Sequence, residues 1–302
     1  MNPAAAPAVH LADYAREHAC VHAVRTAVFV QEQQVPVELE RDALDPLSVH
    51  VLARTADGTA VGTARMTPDR RIGRMAVLPA WRGRGVGEAL LDALLAHARA
   101  LRWPEVSLHA QLHALPFYAR AGFVPAGARF SEAGIDHRRM VRRLPGASPV
   151  EDAEAAAAVV VALAAHARRG LAFYSRALDP GLLDRREVLD AIRRFATRTG
   201  PRQVRILLHD AETPRREDPP LLALAQRLPS VFSLRQISDP VDARFPSAYA
   251  FNDHGGALFR PLASRMEGEG GIEDGATARR LEQAFNPVWE RSRPCTELRA
   301  LG

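Results

Sequence analysis

Arg82-Gly83-Arg84-Gly85-Val86-Gly87 follows the apolar run Met75-Ala76-Val77-Leu78 and opens a helix-forming segment that continues to Leu101. Three glycines within six residues let a backbone approach a ligand closely, because no Cβ stands in the way. A helix that starts there aims unpaired N–H groups and the positive end of its dipole at the same place. The spacing therefore predicts a strand–loop–helix unit that cradles a phosphate or pyrophosphate.

Two nucleotide loops are excluded. A Walker loop ends in Gly-Lys-Ser/Thr, and all 40 basic residues of this chain are arginine. A dinucleotide fingerprint spaces its glycines G-x-G-x-x-G, with an acidic residue about 20 positions on; here the spacing is G-x-G-x-G.

The pattern Arg82-x-x-Gly85-x-Gly87 after a strand resembles the acetyl-CoA loop of the GNAT superfamily of N-acetyltransferases. Downstream, Ala114, Phe117, Tyr118, Gly122 and Phe123 fall in register with the family's Ala-x-x-Phe/Leu-Tyr and Gly-Phe motif. Arg25–Gln33 (RTAVFVQEQ) and Phe130–Met140 (FSEAGIDHRRM) resemble the ElaA-type branch, with Asp136 where a proline is usual. The resemblance covers residues 8–144.

It implies a GNAT fold: a mixed, mostly antiparallel sheet with helices on both faces. It implies acetyl-CoA as co-substrate, with Met75, Ala76 and Val77 beside its pantetheine arm. The loop Arg82, Gly83, Arg84, Gly85, Val86 and Gly87 would hold the pyrophosphate, Arg82 and Arg84 supplying charge. Gln111 would offer an amide contact, and Tyr118 would protonate the departing thiolate. The strand through Val77 is expected to splay from the strand at Glu105–Ala110. For the base that deprotonates the amine, Glu32 and His137 lead, with Glu40, Asp42, His50 and Glu132 as further possibilities; each could equally be a polar group that fixes a loop.

The chain has 302 residues, 47% hydrophobic and 25% charged, the composition of an ordinary globular protein with room for two cores. Cys20 and Cys295 lie near opposite ends and fit neither a disulfide framework nor a metal site, so no metal is expected. No signal peptide is evident, and the most apolar run, Ala155–Ala165, is shorter than the roughly 20 residues of a membrane span; a cytoplasmic address is expected. The net charge of +5 comes with acids interspersed among the arginines, so no nucleic-acid partner is expected. Arg138, Arg139, Arg142 and Arg143 should divide between the two faces of a strand.

Pro145-Gly146-Ala147-Ser148-Pro149 reads as a boundary, with Ser148 as the cap of a new helix. That division gives domains at 1–146 and 149–302. The second half alternates strands and helices, which predicts a second α/β domain; Glu267–Gly275 and Pro214–Pro220 read as loops. Tyr174-Ser175-x-x-Leu178-Asp179, Arg205–Asp210, Leu228–Ser230 and Trp289–Ser292 resemble a phospholipase-D-like domain of unknown function. The chain has no lysine for the His-x-Lys motif of that chemistry, so a non-catalytic binding or regulatory domain is expected. The whole reads as an N-acetyltransferase acting on a small-molecule or peptide amine. The alternatives are a non-catalytic acyl-CoA sensor, and a C-terminal anchor for nucleic acid or anionic lipid.

Overall fold

A computed structural model describes residues 6–132 and 134–298. The first elements are β1 (Ala8–Ala12), α1 (Tyr14–Arg25), α2 (Val37–Glu40), β2 (Val49–Arg54), β3 (Ala60–Met66), β4 (Arg71–Val77), α3 (Val86–Ala100) and β5 (Glu105–Gln111). Then come α4 (Leu115–Arg120), β6 (Val124–Glu132) and β7 (Ile135–Arg143). These seven strands form one sheet in the order β1-β2-β3-β4-β5-β7-β6. Successive pairs from β1 to β4 are antiparallel and β4–β5 is parallel, in line with a mixed, mostly antiparallel GNAT sheet.

The second series is β8 (Gly146–Val150), α5 (Ala153–His166), β9 (Gly170–Ser175), α6 (Arg186–Ala196), β10 (Gln203–Leu208), α7 (Glu212–Glu217), α8 (Pro220–Arg227) and β11 (Phe232–Gln236). It continues with β12 (Ala248–Asn252), β13 (Ala257–Arg260), β14 (Gly268–Glu273), α9 (Gly275–Arg291) and β15 (Arg293–Pro294). Its eight strands run in the order β15-β11-β10-β9-β12-β13-β14-β8. β9, β10 and β11 are mutually parallel, and the flanking pairs are antiparallel.

Two compact units result. One comprises Met1–His109 with Phe130–His137, the other Ala110–Arg129 with Arg138–Gly302. In the first unit, the apolar stripe of α3 (Leu90, Leu91, Leu94, Leu95, Ala98) is buried. Gly62 of β3 lets α3 come close: a Cβ there would lie 3.0 Å from Leu90 and 3.1 Å from Val86. Strand alternation sends the neighbouring odd residues to the opposite face, where Thr63 and Arg65 are buried toward α1. After Arg25 the chain winds more widely as a π-helix over Thr26–Glu32, with Gln33 N–H donating to Val28 O at 3.1 Å. Val28 and Phe29 of that turn pack on Ala76 and Leu78.

A buried charge network holds the α1–β2 segment. Arg25 is fully buried and pairs with Glu40 and, at 2.8 Å, with Asp45. Arg65 reaches Asp45 and Asp42, each at 2.6 Å. Arg74 donates to the carbonyls of Glu40 (3.0 Å) and Leu39 (2.9 Å).

In the second unit, α5 is buried all round, from Ala155 to Ala164, as expected of a central helix. Its cap is Asp152, which accepts from Ala155 N–H at 2.9 Å. Ser148, expected as the cap, lies instead in β8, which pairs with β14. The glycine-rich stretch expected as a loop is β14: a Cβ at Gly270 would stand 2.7 Å from Val159, and one at Gly268 would stand 2.1 Å from Phe259 O. Glycine is there to admit neighbours, not to turn the chain. Likewise Pro214–Pro220 falls largely in α7 and the start of α8. Arg138 and Arg142 are buried while Arg139 and Arg143 are exposed. Arg138 pairs with Asp152 (2.6 Å) and Glu154, and Arg142 with Glu273 (2.5 Å).

Burial pushes the Asp45 carboxyl up, but hydrogen bonds and charge from Arg25 and Arg65 outweigh it and hold the group at about 2. A carboxyl depressed from 3.8 stabilises the fold by roughly 2 kcal/mol above that pH, a contribution lost as pH falls from about 4 to 2. Asp45→Asn, which takes from the buried Arg25 and Arg65 one of the two carboxylates each of them meets, should cost about 2 kcal/mol. Its urea-unfolding stability should also vary less with pH across that acid window than the wild type's.

Candidate functional site

β4 carries the geometry on which the site depends. Its register with β3 shifts between Thr63↔Ala76 and Arg65↔Gly73, so three steps on β4 oppose two on β3. The extra residue lies in a bulge where Arg74 adopts φ +50°. A bulge bends its strand and increases local twist. The parallel register with β5 stops just before it, at Arg71↔Ser107 and Ile72↔Leu108. The expected separation of the two strands thus begins at Gly73, and Met75, Ala76 and Val77 lie beyond it.

The glycine loop follows. After a short 3-10 turn at Pro79–Trp81, Gly83 (φ +71°) and Gly85 (φ +80°) both adopt the left-handed region. A Cβ at either would meet nothing within 4 Å, so these glycines serve backbone conformation and leave open space above it. Gly85 is the N-cap of α3 and provides no side-chain cap; the buried Val86 begins the first turn and Gly87 follows it. N–H groups of that first turn lack intrahelical acceptors.

The two loop arginines are both engaged. Arg82 forms a two-pronged pair with Glu32 (2.7 and 2.6 Å) and donates through Nε to Val77 O at 3.0 Å. Arg84 lies over the Trp81 ring, 5.1 Å from its centroid. Glu32, at the end of the π-helical turn, is therefore the partner of Arg82, whose hydrogen bonds hold its carboxyl below the usual range. The structure brings these two predicted residues together as a clip between the π-helical turn and the loop.

Three other base possibilities have partners of their own. Glu40 and Asp42 belong to the charge network. His50 is 1% exposed, donates through Nε2 to Asp45 O at 2.9 Å and stacks on Tyr14 at 4.5 Å. Burial lowers its pKa, which keeps the ring neutral.

His137, on β7, donates from Nδ1 to Ile135 O at 2.8 Å and stacks on Phe130. The other side of that cluster is a residue the sequence reading missed. His109, near the end of β5, meets the Phe130 ring edge-on at 4.8 Å and approaches Glu132 at 3.2 Å through Nδ1. The available signal was strand alternation: Val106, Leu108 and Ala110 are buried, which leaves Ser107, His109 and Gln111 as a polar row on the opposite face.

Gln111 and Tyr118 belong to the second unit. Gln111 ends β5 and precedes a 3-10 turn into α4. The Tyr118 ring packs edge-on against Phe117 (4.9 Å) and Phe123 (6.1 Å). Burial pushes its hydroxyl up to about 12, so it remains a proton donor. Among the described residues, no group of three or more His, Cys, Asp or Glu is placed to hold a metal ion, and no helix is long and apolar enough to cross a membrane.

Residues 10–144 match the family model of the acetyltransferase (GNAT) domain, and residues 152–301 match a domain of unknown function (DUF7931). The UPF0039 protein sll0451 of Synechocystis sp. is 36% identical over 132 residues, which span 41% of this chain and 84% of that protein. The uncharacterized N-acetyltransferase YjcF of Bacillus subtilis is 36% identical over 123 residues, 39% of this chain and 87% of its own. Protein ElaA of Escherichia coli is 33% identical over 129 residues, 40% and 84% of the two chains. The crystal structure of E. coli ElaA aligns with 45% of this chain and 99% of its own at 30% identity, with a TM-score of 0.41. Through this N-terminal region the chain belongs to the GNAT acetyltransferases and is an acyltransferase.

Proposed function

We propose that the protein transfers an acetyl group from acetyl-CoA to the primary amine of a small molecule or peptide. The observation that carries this reading is the end of β4–β5 pairing at Ile72↔Leu108, directly ahead of an uncapped helix start with two left-handed glycines. A separated strand pair offers backbone groups to an amide-rich pantetheine arm, here at Met75, Ala76 and Val77. The loop from Arg82 to Gly87 offers N–H groups and the α3 dipole to a diphosphate. Because Arg82 is held by Glu32 and Val77, its side chain shapes the loop while the backbone receives the ligand; Arg84, over Trp81, adds positive charge beside it.

Direct attack by a neutral amine forms the C–N bond and breaks the C–S bond. The chain's own contribution is to hold both reactants in line, to remove a proton from the incoming ammonium and to deliver one to the departing sulfur. Tyr118 is the donor to sulfur in this reading, supported by its motif register and its protonated hydroxyl. Gln111 contributes an amide contact. Residues 149–302 are read as a non-catalytic binding or regulatory domain on a phospholipase-D-like plan, following the acetyltransferase domain at 1–146.

Gly85→Glu places a negative side chain in the open space above the loop. Its affinity for acetyl-CoA, measured by calorimetry, should fall at least roughly 100-fold through charge repulsion and lost approach. Gly85→Asn, which tolerates the left-handed region, should stay folded and lose far less. Unchanged affinity in Gly85→Glu would overturn the loop assignment.

Tyr118→Phe keeps the ring packing and removes the hydroxyl. Thiol release during turnover should fall by roughly 100-fold, the size expected for a lost general acid, with acetyl-CoA affinity nearly unchanged. The chain has no lysine to serve as a self-acceptor, so thiol release reports transfer to added amine once N-terminal modification is excluded by mass spectrometry. A variant with wild-type kcat would remove Tyr118 from the mechanism.

A further inference from the structure

The acetyl-transfer reading leaves the proton acceptor unassigned. Glu40 and His50 are buried and paired, Asp42 is held by Arg65, and Glu32 by Arg82. One titratable pair in the same unit is differently placed. His109 is the residue immediately after the last β4–β5 register pair, Ile72↔Leu108, so it stands where the two strands begin to part. Its side chain is 31% exposed and that of Glu132 is 52% exposed.

The hydrogen-bond chemistry fixes the imidazole's polarity. A carboxylate only accepts, so Nδ1 carries the hydrogen that goes to Glu132 at 3.2 Å. A neutral ring then has its lone pair on Nε2. Among the described residues no protein group pairs with that nitrogen. Phe130, edge-on at 4.8 Å, holds the ring from one side, and His137 stacks on Phe130 in turn. A histidine–carboxylate contact this exposed adds little to stability, so stability does not account for the arrangement. A carboxylate behind a histidine whose second nitrogen is bare is the arrangement of a general base with its orienting group.

We infer that His109 is the general base of the reaction and Glu132 its positioning residue. This inference rests on the acetyl-transfer reading. His109 Nε2 takes one proton from the acceptor ammonium and becomes imidazolium, facing Glu132. The freed nitrogen lone pair attacks the thioester carbon, the C–N bond forms, and the C–S bond breaks with its electron pair on sulfur. The nitrogen keeps one hydrogen as the amide N–H, and its remaining surplus proton ends on sulfur as the free thiol. His109 returns its proton to solvent. The balance is ammonium plus thioester to amide, thiol and one proton.

The test uses two isomeric probes, phenethylamine and para-ethylaniline. Near neutral pH the first is an ammonium ion and needs a base, whereas the second is already a neutral amine. Thiol release from acetyl-CoA is followed with the full-length wild type, His109→Gln and Glu132→Gln. With phenethylamine, His109→Gln should lower kcat roughly 100-fold and Glu132→Gln about 10-fold, while para-ethylaniline should lose less than about threefold in either. Acetyl-CoA affinity by calorimetry should be unchanged in both variants, which also shows that they are folded. Equal losses with the two probes would mean a structural role and overturn the inference. Wild-type rates in His109→Gln would overturn it while leaving acetyl transfer intact. A wild-type protein that releases no thiol with any primary amine would overturn both.

Discussion

Arginines and carboxylates gathered between α1 and β4 hold the acetyltransferase sheet in its working form, with Arg25, Glu40, Asp45 and Arg65 packed away from water. Arg25, Arg65 and Arg74 face Glu40, Asp42 and Asp45 across α1, α2, β3 and β4. Residues 37–47 gain little from apolar burial, since Val37, Leu39 and Leu47 are all exposed. Charge does the holding. Arg74 connects this network to the site: its backbone is the bulge of β4, and its side chain is tied to Leu39 and Glu40. The bend that parts β4 from β5 is therefore fixed from beneath by the network, at the desolvation cost that buried ions always carry.

Much of this was legible in the chain because the decisive signals are local. A glycine loop after an apolar run must turn and approach something, and the strands and helices around it follow ordinary periodicity. What stayed hidden depends on neighbours distant in sequence. β14 looks like a loop because Gly268 and Gly270 break strand propensity, yet they are glycine because Phe259 and Val159 fill the space where side chains would be. β8 reads as a linker because its glycine and proline interrupt the periodicity, and only β14 beside it makes it a strand. Ser148 and Asp152 are both good caps, and local pattern alone does not choose between them. The π-helical turn at Thr26–Glu32 has no local signature at all in the side chains.

The candidate site divides along the same line. Glycines and backbone positions follow from spacing, since backbone roles depend little on what surrounds them. The proton-handling groups do not, because a carboxylate's role is set by its partner. Glu32, Glu40 and Asp42 look alike as lone carboxylates, and the arginine that each meets becomes visible only in the folded chain. His109 went unnoticed for the opposite reason: Glu132, 23 residues away, becomes its neighbour only in the folded chain.

Strand β8 and helix α4 have an evolutionary meaning. The family models divide the chain near residue 150, yet α4 packs on α5, Arg142 ties Ala121 O to Glu273, and Gly122 lies against Ile272 of β14, all within one compact body. A recombination breakpoint at residue 150 would leave β14 without its edge partner and α4 without its seat. In this chain the C-terminal sequence and α4 are therefore parts of one packed body, although the relatives carry the N-terminal region without it. Substitutions on α5 and β14 should be inherited together with those on α4, as a single coevolving block.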